Sequence, residues 1–367
     1  YMDRYVNSIL DNNRYPADEI NRVLKEYKKK WVPIIDAGIG IHHNPYIKEG
    51  LEQDVFIKVP GGEFYVGEVW PGEVHFPDFF HPNTPKFWNK MLETLYKDVK
   101  FDGIWLDMNE LASFTDGQKN WVPPEDDILN RPPYTPAGPG QLLSNHTIRM
   151  DVEYYGGLKE YYVHSMYGFL ESEVTYNYLK EKTELPFVLS RSTFYGSGKY
   201  AFHWNGDNGA TWQFLAYSIP GVMNFGLFGI PFVGPDMCGF DYNTTEELCS
   251  RWYQVGTLYP FSRNHNEKGM IDQEPYALGP TLLETARLSL RLRYSLLKHF
   301  YTQFLRLNGT GTVFKPLFFE FYNDTYLYSY SNVFVENQYM VGNCLMVTPV
   351  LQQGVSSINA YFPKSTW

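Results

Sequence analysis

Six short apolar runs, each closing on a polar or charged side chain and alternating with amphipathic stretches, constrain most strongly what this chain can fold into. The runs cover residues 31–36, 103–107, 186–191, 200–207, 231–236 and 258–265, and they close on Asp36, Asp107, Arg191, Asp207, Asp236 and His265. Amphipathic segments lie at about 17–30, 86–99, 154–183, 210–219, 245–256 and 278–306. Strand-length apolar runs alternating with helical periodicity predict βαβ units and a parallel sheet. Polar residues at the C-terminal ends of several strands predict a (β/α)8 barrel, whose working face is built from those ends. A doubly wound sheet would carry an early Gly-rich phosphate turn. Gly196-Ser197-Gly198-Lys199 does not supply one, because it lacks the earlier glycine and Tyr200 follows the lysine. A closed barrel needs eight strands. Two are therefore either unrecognised or absent from this stretch.

Two stretches interrupt the alternation, at about 37–85 and 112–145. In the first, Val55-Phe56-Ile57-Lys58-Val59, a Pro60-Gly61-Gly62 turn and Glu63-Phe64-Tyr65-Val66-Gly67 predict a hairpin. The second is rich in proline and glycine (Pro123-Pro124, Pro132-Pro133, Pro136-Ala137-Gly138-Pro139-Gly140) and reads as a long ordered loop. Past about residue 308 the helical period stops, and runs at 326–331 and 344–349 predict strands of a second, β-rich domain. The expected organisation is a barrel over 1–307 carrying both insertions, then the start of a β-sandwich domain over 308–367. Residues 208–235 carry no charge, yet Pro220, Pro231, Pro235 and five glycines break them up. A spanning helix needs roughly 20 continuous apolar residues, so this stretch reads as a buried helix followed by a buried strand. No membrane segment is expected.

A net charge of −10 argues against nucleic acid as a partner, since that partner needs a basic footprint. Tyr, Phe and Trp make up 18% of the chain. Most of these rings are expected in the core, and some suit the C–H faces of sugars. Cys238, Cys249 and Cys344 are too few for a disulfide scaffold, and no Cys-x-x-Cys or His-Glu-x-x-His spacing points to zinc. No metal or cofactor is expected. Asn-x-Ser/Thr sequons at Asn145, Asn243, Asn308 and Asn323 tilt the reading towards the secretory pathway.

Two strand ends carry the chemistry. In Ile104-Trp105-Leu106-Asp107-Met108-Asn109-Glu110 an apolar run ends in a carboxylate, which on spacing alone is as good a helix N-cap as a catalyst. In His203-Trp204-Asn205-Gly206-Asp207-Asn208 a second run ends in a turn-like segment, and alone a turn is the better reading. Two carboxylates at separate strand ends of one barrel are what glycoside hydrolysis uses, although a metal site or an aldolase fits them as well.

Taken together, the segments resemble glycoside hydrolase family 31. Trp105-Leu106-Asp107-Met108-Asn109-Glu110 is similar to its nucleophile signature, and His203-Trp204-Asn205-Gly206-Asp207-Asn208 to its acid/base segment. Ile34-Ile35-Asp36, Trp70-Pro71-Gly72, Ser190-Arg191-Ser192-Thr193, Gly234-Pro235-Asp236-Met237-Cys238-Gly239-Phe240 and Pro260-Phe261-Ser262-Arg263-Asn264-His265 follow the same pattern in order. The form is that of the branch holding maltase-glucoamylase, sucrase-isomaltase and lysosomal acid α-glucosidase.

The resemblance implies a retaining exo-α-glucosidase acting on maltose-like ends of starch or glycogen, with Asp107 as nucleophile and Asp207 as general acid/base. Asp207 would be buried and its pKa raised. Asp36, Arg191 and His265 would bind the glucosyl unit, and Asp236 would bind it or orient Arg191. Trp70, Trp105, Met108, Trp204 and Phe240 would form an apolar wall. Cys238 would pair with Cys249. The first two barrel strands would lie outside this chain, leaving it unstable alone with two open strand edges. The implied place is lysosomal or extracellular, with the endoplasmic reticulum possible. A glucosidase II-like enzyme that trims N-glycans is the main alternative, and a non-catalytic glycan-binding relative is another. Departures from the pattern are Ala37-Gly38 after Asp36, Asn205 before Gly206-Asp207, and Pro235 before Asp236.

Overall fold

The structure is a computed structural model and describes residues 1–136, 141–309, 311–328 and 334–367. They form two compact units, Tyr1–Ala201 and Phe202–Trp367.

The first unit carries the strands β1 (Ile34–Asp36), β2 (Ile39–Gly40), β3 (Gly67–Val69), β4 (Gly72–His75), β5 (Ile104–Asp107), β6 (Glu153–Tyr154), β7 (Leu158–Lys159) and β8 (Val188–Ser190). Its α-helices are α1 (Ala17–Glu26), α2 (Ile47–Glu52), α3 (Thr84–Asp98), α4 (Glu160–Val163) and α5 (Tyr167–Lys180). β1, β5 and β8 run parallel, in a register that pairs Asp36 with Asp107 and Leu106 with Ser190. Side chains along β5 alternate, so Ile104 and Leu106 enter the core while Trp105 and Asp107 share the opposite face. α3 covers that core with Phe87, Trp88, Met91, Leu92 and Leu95, at the three- and four-residue spacing of one helix face. Burying each of these large side chains contributes roughly 1.5–3 kcal/mol. The Trp88 indole also donates to Thr175 Oγ1 on α5 at 3.0 Å, which ties the two helices together.

The second unit carries β9 (Phe202–Trp204), β10 (Val233–Gly234), β11 (Asp236–Met237) and β12 (Arg263–Asn264), with β9 parallel to β10 and β11 parallel to β12. Helix α6 (Trp212–Leu227) begins at Thr211, whose hydroxyl caps the amide of Phe214. Helix α7 (Glu246–Gly256) begins at Thr245 in the same way. The long helix α8 (Pro280–Arg306) follows. An antiparallel sheet then forms from β13 (Phe314–Pro316), β14 (Tyr339–Val341) and β15 (Leu345–Val347). The uncharged stretch at 208–235 forms α6 and leads into β10, and no helix among the described residues is long and apolar enough to cross a membrane.

All six apolar runs contain strands. Two local expectations need correction. The stretches at 55–59 and 63–67 meet only through an isolated bridge between Lys58 and Phe64 and neighbouring backbone bonds. The regular hairpin is instead β3–β4, turning at Trp70-Pro71. The tyrosine-rich run expected as a strand from 326 forms a 3-10 turn, Thr325–Tyr328, because Asp324 captures the amide of Tyr326 with its side chain and that of Leu327 with its carbonyl. Residues 329–331 of that run, and 137–140 of the expected 112–145 loop, lie outside the described residues. The rest of that loop contains no regular helix or strand.

Candidate active site

In the first unit, parallel pairing brings Asp36, Asp107 and Arg191 to adjacent strand ends. Arg191 follows β8 directly, its amide bonded to the Leu106 carbonyl at 3.1 Å. Its guanidinium places Nη1 3.0 Å from Asp107 Oδ1 and grips Glu110 with two bonds, Nε to Oε1 at 2.9 Å and Nη2 to Oε2 at 3.0 Å. Nη2 also meets Met108 Sδ at 3.2 Å. Asp107 Oδ1 accepts the Met108 amide at 2.8 Å, in a turn where Met108 takes φ 58°. A planar fork held at both ends fixes a carboxylate far better than a single charge would.

Asp36 sits beside this array, buried, and its Oδ1 has no hydrogen-bond partner among the described residues. Burial above all, and then the charge of Asp107, pushes its pKa up to about 8 against the opposing pull of Arg191. Asn7 clamps its backbone, accepting the Asp36 amide at 3.2 Å and donating to the Asp36 carbonyl at 2.6 Å.

Asn109 ties the strand ends together. It donates to Ser190 Oγ and accepts the Ser192 amide, both at 2.9 Å. Trp70 lies on the β3–β4 turn and is about half exposed. Its ring stacks on Tyr5 at 5.9 Å and meets Phe114 edge-on at 5.1 Å. The Phe114 amide bonds to Glu68 on β3 at 2.8 Å, so the loop after Asp107 is fastened beside that turn.

In the second unit, β11–β12 pairing sets Asp236 opposite Arg263. Arg263 holds Asp236 Oδ1 through Nη2 at 2.5 Å and Nε at 2.9 Å, and lies 5.3 Å over the Trp204 ring. Asp236 is fully buried, so this cation balances its charge. The Phe240 ring lies 5.2 Å from His265. Burial, and then the charge of Arg263, lowers the His265 pKa to about 4, leaving a neutral imidazole able to donate and accept at ordinary pH. Asp207 sits on the turn after β9. The expectation that it is buried is corrected: the chain leaves it exposed. Asn208 staples that turn to β11, donating to the Asp236 carbonyl at 3.0 Å and accepting the Asp236 amide at 3.2 Å. Gly234 is obligatory here, because a Cβ would fall 2.0 Å from the Phe261 carbonyl oxygen. Cys238 and Cys249 form a disulfide.

The family 31 glycosyl hydrolase TIM-barrel domain matches residues 1–303, and the family's C-terminal domain matches 310–367. The chain belongs to glycoside hydrolase family 31. An alpha-glucosidase of Hordeum vulgare is 40% identical over all of this chain and 42% of its own length. A lysosomal alpha-glucosidase of Mus musculus is 41% identical over 94% of this chain and 36% of its own length. Among solved structures, a Glc1Man2-bound glucosidase II alpha subunit has a TM-score of 0.83 at 30% identity, covering 99% of this chain and 37% of that one. A family 31 alpha-glucosidase from Bacteroides thetaiotaomicron has a TM-score of 0.75 at 30% identity, covering 95% of this chain and 53% of that one. The chain thus spans about two fifths of the length of the curated relatives it matches.

Sequence reasoning passed over Glu110, Asn109, Arg263, Asn208, Tyr5 and Phe114. Glu110 and Arg263 lie within the quoted motifs, three residues after Asp107 and two before His265. Only the strand register shows which carboxylate each cation meets.

Proposed function

We propose that the polypeptide carrying this chain is a retaining exo-α-glucosidase that releases terminal α-1,4-linked glucose from maltose, malto-oligosaccharides, starch or glycogen. Residues 1–307 would act as the barrel, with insertions at about 37–85 and 112–145, and 308–367 as the start of the β-rich domain. The observation that carries this reading is Asp107, a strand-end carboxylate oriented by the Arg191 fork and by the Met108 amide.

In this mechanism Asp107 attacks the anomeric carbon and displaces the leaving oxygen, which takes a proton from Asp207. Asp207 then draws a proton from water, and the water opens the glycosyl ester. Asp207 is exposed in the resting chain, so bound sugar supplies the desolvation that acid catalysis calls for. Asp36, Arg191, Asp236 and His265 would recognise the glucosyl hydroxyls. A buried set of unmatched polar groups penalises the wrong epimer strongly. Trp70, Trp105, Met108, Trp204 and Phe240 would line the apolar faces. The disulfide and the exposure of all four sequon asparagines support a secretory location, lysosomal or extracellular first and the endoplasmic reticulum second.

The structural likeness to glucosidase II favours N-glycan trimming as the second reading. A binding-only relative is disfavoured because both carboxylates are present. Glucose release from maltose, beside the Asp107→Asn variant, tests the first reading. The expected result is release by the parent and a loss of about four orders of magnitude or more in the variant. Release of glucose only from a glucosylated high-mannose glycan would move the assignment to the second.

A further inference from the structure

One ionisable group next to this array has no part in the mechanism above. Glu171, on α5, is fully buried, and neither carboxyl oxygen has a hydrogen-bond partner among the described residues. The helix that carries it is pressed onto the ends of β5 and β8. At Gly168, one turn earlier on the same face, a Cβ would fall 2.6 Å from Ser192 Cβ, 2.8 Å from Ser192 Oγ and 2.9 Å from the Asn109 carbonyl oxygen. Only glycine permits that approach, which presses the face of α5 that carries Glu171 onto Asn109 and Ser192.

We propose that Glu171 is a positioning residue: from the buried face of α5 it backs Asn109, the amide that ties the end of β8 to the end of β5, and so holds Arg191 against Asp107. The chain of contacts is short. Asn109 donates to Ser190 Oγ and accepts the Ser192 amide, which brackets Arg191 on both sides. Ser190 Oγ donates in turn to the Ser192 carbonyl at 2.7 Å and tightens the bracket. Arg191 then divides its fork between Asp107 and Glu110.

Glu171 does this work as a neutral acid. Burial raises its pKa far above the usual carboxylate range. The Asn109 side chain opposes that rise, and the neighbouring carboxyls of Asp36, Glu110 and Asp107 add to it. The Tyr167 hydroxyl, a turn earlier on α5, is buried with it, and burial above all raises its pKa well above the usual phenol range. A further negative charge in this cluster would compete with Asp107 for Arg191. A neutral acid keeps the support without the charge.

This inference rests on the glycosidase reading, and its test separates the two. Glu171→Gln and Glu171→Leu are made in the natural polypeptide and assayed with a chromogenic α-glucoside across pH, beside hydrogen exchange of the segment 190–192. Glu171→Leu should lose about 10–100-fold in kcat/KM, its acidic limb should move to higher pH as Arg191 loosens from Asp107, and the Ser192 amide should exchange faster. Glu171→Gln, a neutral isostere, should leave all three close to the parent.

A Glu171→Leu enzyme with unmoved limb and unmoved exchange would overturn the inference and leave Glu171 a packing residue. A Glu171→Gln enzyme whose acidic limb drops to lower pH would overturn it as well, by showing that Glu171 carries charge. A parent without activity on any α-glycoside would sink the glycosidase reading alone. Hydrogen exchange would then decide the role of Glu171.

Discussion

Replacing Asp36 by Asn should make the protein less sensitive to rising pH. In the folded chain the Asp36 carboxyl titrates at about 8, against an ordinary value of 3.8. A raised folded pKa means that stability is fully present below the unfolded value and is lost as pH rises through the folded one. Between pH 5 and 7 the folded state holds the proton and the unfolded state has released it, so the native state loses about 1.4 kcal/mol per pH unit from this group. Over two pH units that is about 2.7 kcal/mol, and water penetration and side-chain relaxation reduce it to about 2 kcal/mol. The unit that holds Asp36 spans Tyr1–Ala201. For a unit of that size a change of 1 kcal/mol moves the melting temperature by roughly 2–4 °C. Asparagine keeps the shape and cannot titrate. Scanning calorimetry of wild type and Asp36→Asn at pH 5, 6 and 7 should therefore show wild type losing roughly 4–8 °C relative to the variant across that range. A constant gap, or one that moves the other way, would refute the claim that burial beside Asp107 holds this carboxyl protonated.

Other perturbations separate the site from its scaffold. Glu110→Gln removes a charge-assisted, two-bond grip on Arg191 and should lower kcat/KM by about 10–100-fold with little change in melting temperature, measured by steady-state kinetics; an unchanged kcat/KM would mean that Arg191 needs no second carboxylate. Gly234→Ala drives a Cβ into the Phe261 carbonyl and should cost about 3 kcal/mol or more, seen as a lower melting temperature or insoluble expression. Removing both Cys238 and Cys249 as serines opens an 11-residue loop and should cost about 2–3 kcal/mol by denaturant unfolding.

The strands and most helices were legible because both of their periods are written in apolar residues. The run 103–107 reads as a strand closing on a carboxylate, and the structure forms that strand with Ile104 and Leu106 inward and Trp105 and Asp107 on the other face. Tertiary partners were not legible. Nothing in the spacing of Glu110 shows that it shares Arg191 with Asp107, because that contact depends on the β5–β8 register across 81 residues. Asn208 reads as a turn residue until β11 is set beside it. Gly168 and Glu171 read as ordinary positions within a helical stretch. The value of one and the protonation of the other exist only once α5 is pressed onto two loops. The hairpin slipped for a related reason: 55–67 and 67–75 both place apolar residues on either side of a glycine-containing turn, and pairing with β2 selects the second.

The claim at the centre of this account is that Asp107 forms a covalent bond to glucose. It is tested by quenching turnover of an activated α-glucoside by the Asp207→Ala protein, in which hydrolysis of the ester is slowed, and mapping the digest by mass spectrometry. The account predicts one glucosyl group on the peptide that contains Asp107, and on Asp107 within it. Glucose released with that peptide unmodified, or a glucosyl group on another residue, would contradict it.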